Sequence, residues 1–348
     1  KTAYEIVDCD WSSDVCSSDL SPTLMLAFLL RRLGQSALVL LTVAALSFAL
    51  FQYVGDPVAF LVGQDASPEK VAEVRAELGL DQPMPVQFAR FVGHALQGDF
   101  GTSLRLGKPV SSVIATAFPA TLELALLAAL VALLVGIPLG VYTALRRGSP
   151  LAQALMAFSL VGVSLPNFLI GIVLILVFAV QLGWVPSFGR GEVVMLGGWS
   201  TGLATADGWR HIVLPAVTLA TYPLTLVMRL VRAEMLEVLR SDYIKFARAR
   251  GLSDRAIHFG HALKNTLVPV ITVTGLQLGG LVAFAIITET VFQWPGMGMM
   301  FIEAVNFADI PVMAAYLCLV SLIFVVINLA VDLLYVVVDP RLRLQREA

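Results

Sequence analysis

Residues 124–145 read LALLAALVALLVGIPLGVYTAL, 22 residues without a charge. The hydrocarbon layer of a bilayer is about 30 Å thick and an α-helix rises about 1.5 Å per residue, so about 20 apolar residues cross it. Working outward, the same character recurs in Leu33–Val54, Thr266–Thr288 and Ile310–Val331. Leu151–Gly189 is also uncharged but longer than one crossing; Gly183, Pro186 and Gly189 predict that its helix ends near Leu182. Ile212–Met228 is short, and Arg229 and Arg232 can extend it by snorkelling. The pattern predicts an all-α polytopic membrane protein of six transmembrane helices.

Composition agrees. Hydrophobic residues make up 58% of the chain, charged residues 14%, and mean hydropathy is +0.84. A soluble chain carries about 25% charged residues, so a water-soluble globular fold is excluded. The cysteines, Cys9, Cys16 and Cys318, have no zinc-ligand spacing, and Cys318 reads as a small packing residue. Residues 1–24 are polar, rich in Ser and Asp, and lack the positive start and apolar centre of a secretory signal. They are read as a non-native or disordered extension, with the membrane domain over 25–348.

Lys and Arg set the orientation. With the N-terminus inside, the inner segments hold Arg31 and Arg32, Arg146 and Arg147, then Arg229, Arg232, Arg240, Lys245, Arg248, Arg250, Arg255 and Lys264, and finally Arg341, Arg343 and Arg346. The outer loops are poorer in cations, and those of the first are offset by acids. Both termini are therefore expected in the cytoplasm. Pro138, Pro166, Pro215 and Pro223 fall inside spans; they read equally as packing kinks or as helices deformed around a passage. The first outer loop, 55–118, should be helical. Ser67-Pro68-Glu69 is a helix start, with Val71, Val74 and Leu78 on one face and Gly79 as the stop. Pro85 opens a second helix that runs to Gln97.

The loop 229–265 reads RLVRAEMLEVLRSDYIKFARARGLSDRAIHFGHALKN. Ser241-Asp242 starts a helix and Gly251 supplies the left-handed residue that ends it. Ser253 caps a second helix with Asp254 in its first turn, Leu252 and Ile257 form a hydrophobic staple, and Gly260 is the expected end. From these residues alone the loop suits either anionic lipid or a docking partner. Its detail resembles the cytoplasmic coupling loop of permease subunits of binding-protein-dependent ABC importers, in the peptide/nickel branch. The matching residues are Asp242-Tyr243, Ala247-Arg248-Ala249-Arg250-Gly251-Leu252, His261-Ala262-Leu263-Lys264-Asn265 and Pro269. The wider superfamily's Glu-Ala-Ala is here Lys245-Phe246-Ala247. Further matches run in order along the chain: Gly55-Asp56-Pro57, Gly98-Asp99-Phe100-Gly101-Thr102-Ser103, Ser164-Leu165-Pro166-Asn167-Phe168, Glu289-Thr290-Val291-Phe292 with Pro295-Gly296-Met297-Gly298, and Asp339-Pro340-Arg341.

The resemblance implies a non-catalytic subunit in a bacterial inner membrane. It implies a second homologous permease, two ATPase subunits that carry ATP and Mg, an extracytoplasmic substrate-binding protein, and membrane lipid as partners, and no nucleic acid. It assigns ATPase coupling to Asp242, Tyr243, Ala247, Arg248, Ala249, Gly251, Leu252, Asp254, His261 and Asn265. It assigns the pathway or outer gate to Pro166, Asn167, Glu289, Phe292, Pro295 and Gly296. No cofactor is expected on this chain. The cargo is left open among dipeptides, oligopeptides, nickel chelates and glutathione-like solutes.

Other constellations carry less. Gly101 to Lys108 has five residues between its glycines and Pro109 after the Lys, which a phosphate loop does not allow. His258 and His261 lack a third ligand at metal spacing, and His94 and His211 are isolated. Glu123, near the outer end of span two, suits either a protein-facing acid or a headgroup-level carboxylate. Asp332 is expected to snorkel or pair with an Arg. An ion-coupled secondary transporter is the alternative; it would need an acid at mid-membrane and an inverted repeat, and neither is visible.

Overall fold

The computed structural model describes residues 22–53, 67–77 and 81–338. The readings of residues 1–21, Gly55-Asp56-Pro57, Leu78, Gly79 and Asp339-Pro340-Arg341 lie outside them, as do the side chains of Val71 and Val74. Helix α1 spans Pro22–Tyr53, α2 Pro68–Glu77, α3 Met84–Leu96 and α4 Val110–Leu145. Next come α5 (Pro150–Ser164) and α6 (Asn167–Leu174), which continues as a π-helix over Ile175–Gln181. A hairpin, β1 (Val194–Leu196) and β2 (Trp199–Thr201), precedes α7 (Ala206–Val238) and α8 (Asp242–Ala249). A second π-helix, Ala256–Ala262, leads into α9 (Leu263–Val291), followed by α10 (Met297–Asn306) and α11 (Ile310–Val338).

Among the described residues four helices are individually long and apolar enough to cross a membrane: Leu30–Leu50 within α1, then α4, α7, and Ile310–Leu333 within α11. Two bent pairs bring the number to six if each is one crossing. The third predicted span is one of them. It is not a continuous helix, because α5 and the Asn167–Gln181 segment meet at 113°. At the bend Leu165 is extended, φ −88° and ψ 136°, the geometry a following proline favours, and α5 stops there. The helix end expected near Leu182 is where the π-helix caps. Pro138, Pro215 and Pro223, by contrast, sit inside continuous helices.

Two helices outgrow their predicted spans. α4 enters at Val110, so residues 110–118 of the expected loop are helical, and α7 runs well beyond Ile212–Met228 at both ends. The hairpin is an addition to the all-α expectation. Its two-residue turn is Gly197-Gly198, both with positive φ, as a type I′ turn needs.

The bundle is built on the crossing of α4 and α7, with α9 packed on both and α11 on α9. Small residues permit this. An added Cβ on Gly140 would stand 2.6 Å from Val231 Cβ and 2.7 Å from the Met228 carbonyl. Gly136 and Gly140 thus form a small-xxx-small seam of the kind that drives helix association in lipid, where water gives no hydrophobic drive. Ala117, Ala120, Ala128, Leu219, Val282 and Trp294 fill one core, with Tyr316 stacked on Phe301 at 4.4 Å. α1 joins through α11, where Arg32 pairs with Asp332 at 2.5 Å, the Arg partner expected for that acid.

Candidate functional site

At one end of the bundle the chain leaves α7, turns through α8 and the second π-helix, and enters α9. Ser241 stands at the N-cap of α8 in extended geometry, but its hydroxyl turns back to the Val238 carbonyl and does not cap. Asp242 receives Lys245 Nζ at 2.8 Å in the first turn. Gly251 has φ 78°. Its N–H donates to the Arg248 carbonyl at 2.9 Å, and Leu252 N–H donates to the Ala247 carbonyl at 3.3 Å. This pair of bonds is a Schellman motif, and it stops α8 where the glycine predicts. Beyond it, Ser253 Oγ accepts from Ala256 N–H at 3.4 Å. Gly260 does not end the second helix: it lies inside the π-helix, which runs on into α9.

Two faces result. Ile244, Ala247, Ile257 and Ala262 turn inward onto Val141, Val231, Met235 and Val270. Tyr243, Phe246, Leu252 and Phe259 are exposed, Phe246 most of all at 63%. Asp242, Arg248, Ala249, Asp254, His261 and Asn265 share that exposure. Leu252 is therefore outside and Ile257 inside, which leaves the expected staple one-sided. Asn265 Nδ2 donates to the Tyr243 hydroxyl at 2.7 Å, tying α8 to the start of α9. Of the residues assigned to coupling, Ala247 alone faces the core. Phe246 and Phe259 were not among them. The signal was present, since Ile244/Ala247 and Tyr243/Phe246 are two i,i+3 pairs on one short helix, and the core can cover only one.

Near the opposite end, Glu289 is fully buried under the N-terminus of α10. Its Oε2 accepts from Gly298 N–H at 2.7 Å and Met299 N–H at 3.0 Å, and Thr121 Oγ1 donates to Oε1 at 2.5 Å. Thr121 Oγ1 in turn accepts from Met297 N–H at 2.7 Å. The carboxylate satisfies orphan donors of α10 and meets its dipole, so it joins α4, α9 and α10 at one point. Gly296 is required here, because a Cβ would lie 2.3 Å from Glu289 Oε1. Phe292 is buried near Gly171 of α6, and Pro295 is exposed. Pro166 and Asn167 stand at the α5–α6 bend. Gln293 and Ala308, both non-glycine residues with positive φ (47° and 52°), bracket α10; such backbone costs energy and persists only where its surroundings fix it.

The loop 98–109 closes on the far side of α10. Asp309 accepts from Ser103 Oγ and from the N–H groups of Leu104 and Arg105, and Arg105 also pairs with Glu303 and lies 4.1 Å from the Phe307 ring centre. Within this loop the Gly101 N–H, and then His94, hold the Asp99 carboxyl below the usual carboxylate range.

Glu123 faces protein. It pairs with Arg190 at 2.7 Å, and both side chains are over nine-tenths buried (6% and 7% exposed). Trp199 Nε1 donates to its Oε1 at 3.1 Å, while Arg190 Nη1 donates to Ser200 Oγ at 3.0 Å and Nη2 to the Ser200 carbonyl at 2.6 Å. This cluster clamps the hairpin to α4. Beside it lies a cavity of about 430 Å³ lined by Ser112, Thr116, Arg190, Met195, Ser200 and Pro295 among others.

Comparison with known proteins shows the family of the chain. Residues 25–125 match the N-terminal part of the membrane component of binding-protein-dependent transport systems, and residues 136–344 match the inner membrane component itself. The di/tripeptide transport system permease DppB of Pseudomonas aeruginosa (strain UCBPP-PA14) is 42% identical over 336 residues, covering 92% of this chain and 100% of that protein. The dipeptide permease DppB of Escherichia coli (strain K12) is 40% identical, covering 92% and 99%. The glutathione permease GsiC of Salmonella paratyphi A is 38% identical over 320 residues, again covering 92% and 99%. Among solved structures, the inward-facing MetNI methionine ABC transporter superposes with a TM-score of 0.52 at 20% identity, over 65% of this chain and 96% of that one. The chain belongs to the family of binding-protein-dependent transport system inner membrane components, as a multi-pass permease subunit of an ABC importer.

Proposed function

We propose that this permease forms half of the passage for short peptides or related solutes and takes its driving force through α8. A second homologous permease completes the passage. Two ATPase subunits, which bind ATP and Mg, sit below it, and an extracytoplasmic binding protein delivers the solute. Both termini and the α8 elbow face the cytoplasm, the side to which the cations point. Two relatives carry dipeptide or di/tripeptide in their names and one carries glutathione, which supports a peptide-like cargo. The observation that carries the coupling reading is the outward face of α8. Tyr243 and Phe246 are exposed beside Lys245, Arg248 and Arg250, on a helix whose other face is locked into the bundle. Exposed aromatics that the fold has no need of suit a docking groove.

The mechanism follows from that rigidity. Ile244, Ala247, Ile257 and Ala262 pack on α7, α9 and α4, so a push on α8 moves the helices around the passage together, as packed elements shift between discrete arrangements. The test is Phe246→Glu in the assembled importer. It should insert at parental level, because Phe246 contributes nothing to the core, yet retain less ATPase in a pull-down and lose transport. Parental ATPase retention with parental transport would reject α8 as the seat.

A further inference from the structure

The α5–α6 bend lies level with the middle of α7. Gly162, before the bend, packs on Thr221 and Thr225 of α7, and Gly171, after it, packs on Thr218. The nearest Arg residues along α7 on either side are Arg210 and Arg229, 19 residues apart, with no charge between them. That is about 28 Å of helix, close to the thickness of the hydrocarbon layer. Thr218, Thr221 and Thr225 fall in its central part, so the chain leaves helical geometry at a depth where a bilayer holds no water.

Breaking the helix there opens main-chain groups. Pro166 has no N–H, so the Gly162 carbonyl lacks its usual partner four residues on, and the last carbonyls of α5 have none within the helix. Leu165 N–H closes the final bond, to the Val161 carbonyl at 2.9 Å; among the described residues the carbonyls of Gly162, Val163, Ser164 and Leu165 accept no hydrogen bond. Val163, Ser164, Leu165 and Pro166 are exposed. At the same depth α7 exposes Tyr222, at 44%, although a lipid-facing tyrosine belongs at the headgroup level. Lipid tails offer no donor, and irregular backbone at membrane depth persists only where protein covers it or water fills the space beside it.

We propose that the α5–α6 bend lines the water-filled passage at mid-depth, with Ser164 and Leu165 on its wall and the open carbonyls of α5 hydrated there. The assignment deepens, and rests on, the reading of the chain as half of a passage. A helix packed against the bend would bring few donors, since helical N–H groups are already bonded. Water meets the carbonyls in any orientation and yields them to the N–H groups of a passing solute.

The experiment uses the assembled importer in open membrane fragments, both faces accessible, with Cys9, Cys16 and Cys318 changed to Ser. Ser164→Cys and Leu165→Cys are each reacted with a charged, impermeant methanethiosulfonate and with a lipid-soluble maleimide. Ser253→Cys, at an exposed position, is the water-exposed standard. The thiolate is the reacting form, so a hydrated thiol of pKa about 8.5 should react close to tenfold faster at about pH 7.5 than at about pH 6.5. Both bend cysteines should react with the charged reagent and show that rise, as Ser253→Cys does. Their rates should also change severalfold when ATP and vanadate hold the importer in a second state. Reaction with the maleimide alone places the bend in lipid, and reaction with neither reagent places it under a partner subunit; either result overturns the proposal. So does reaction with the charged reagent that ATP and vanadate leave unchanged. If Ser164→Cys fails to assemble, Leu165→Cys decides alone. ATPase retention and solute-stimulated hydrolysis are read on the same membranes. Parental values with an unreactive bend reject the bend only; their absence in the parental importer rejects the passage reading, and the bend with it.

Discussion

Replacing Gly251 separates docking from folding. Its φ of 78° is the left-handed region, and no heavy atom lies within 4 Å of the position a Cβ would take. A substitution there meets open space, so its cost is torsional and not steric. An ordinary L-residue in this region costs about 1–2 kcal/mol, and a β-branched one reaches about 3 kcal/mol. Asn tolerates the geometry better than either. If the ATPase binds only the elbow with its Schellman turn formed, that cost appears as weaker binding, because the competent fraction falls. Each 1.4 kcal/mol is about tenfold, so Gly251→Ala should weaken ATPase association roughly five- to thirtyfold. Gly251→Val should weaken it further and Gly251→Asn least. Membrane level should be parental throughout, since Gly251 is exposed and outside the bundle core. The assay is ATPase binding to permease-containing membranes by titration, read beside solute-stimulated hydrolysis. Parental affinity and transport for Gly251→Val would refute the coupling role. Equal loss for Asn and Val would refute the torsional reasoning.

The bundle makes its own predictions. At Gly140 an ordinary contact of about 3.4 Å would require the 2.6 Å gap to Val231 to open by roughly 0.8 Å; Gly140→Leu should destabilise by about 1–3 kcal/mol, lowering the melting temperature in detergent, whereas Gly148→Leu, with nothing within 4 Å, should not. Glu289→Ala strands the N–H groups of Gly298 and Met299 and should cost about 1–3 kcal/mol per buried donor, while Glu289→Gln, which keeps one acceptor, should lose less; equal melting of all three proteins would show that α10 is not pinned by this carboxylate. For topology, a background with Cys9, Cys16 and Cys318 changed to Ser should label at Ser67→Cys from outside and at Ser253→Cys only after permeabilisation. Labelling of Ser253→Cys from outside would invert the orientation.

The sequence by itself determined the class of fold and the ends of α8, because both rest on short-range physics, and its motifs carried the resemblance to the family. Uncharged runs such as Leu124–Leu145 must leave water whatever surrounds them, and Gly251 follows a short run of helix formers as the residue that most readily takes the left-handed closing position. Long-range partners decided the rest. Glu123 read as either a protein-facing acid or a headgroup carboxylate until Arg190, 67 residues on, settled it. Glu289 carried no sign that Thr121 and the start of α10 would enclose it. Pro166 and Pro138 looked alike in sequence, yet one breaks its helix at 113° and the other lies in an unbroken one. Gly260 looked like a stop, but Ile257 and Ala262 pack into the core on either side of it and hold the chain helical. A proline or glycine states only what it permits or costs locally; whether that cost is met depends on neighbours that only the folded bundle brings together.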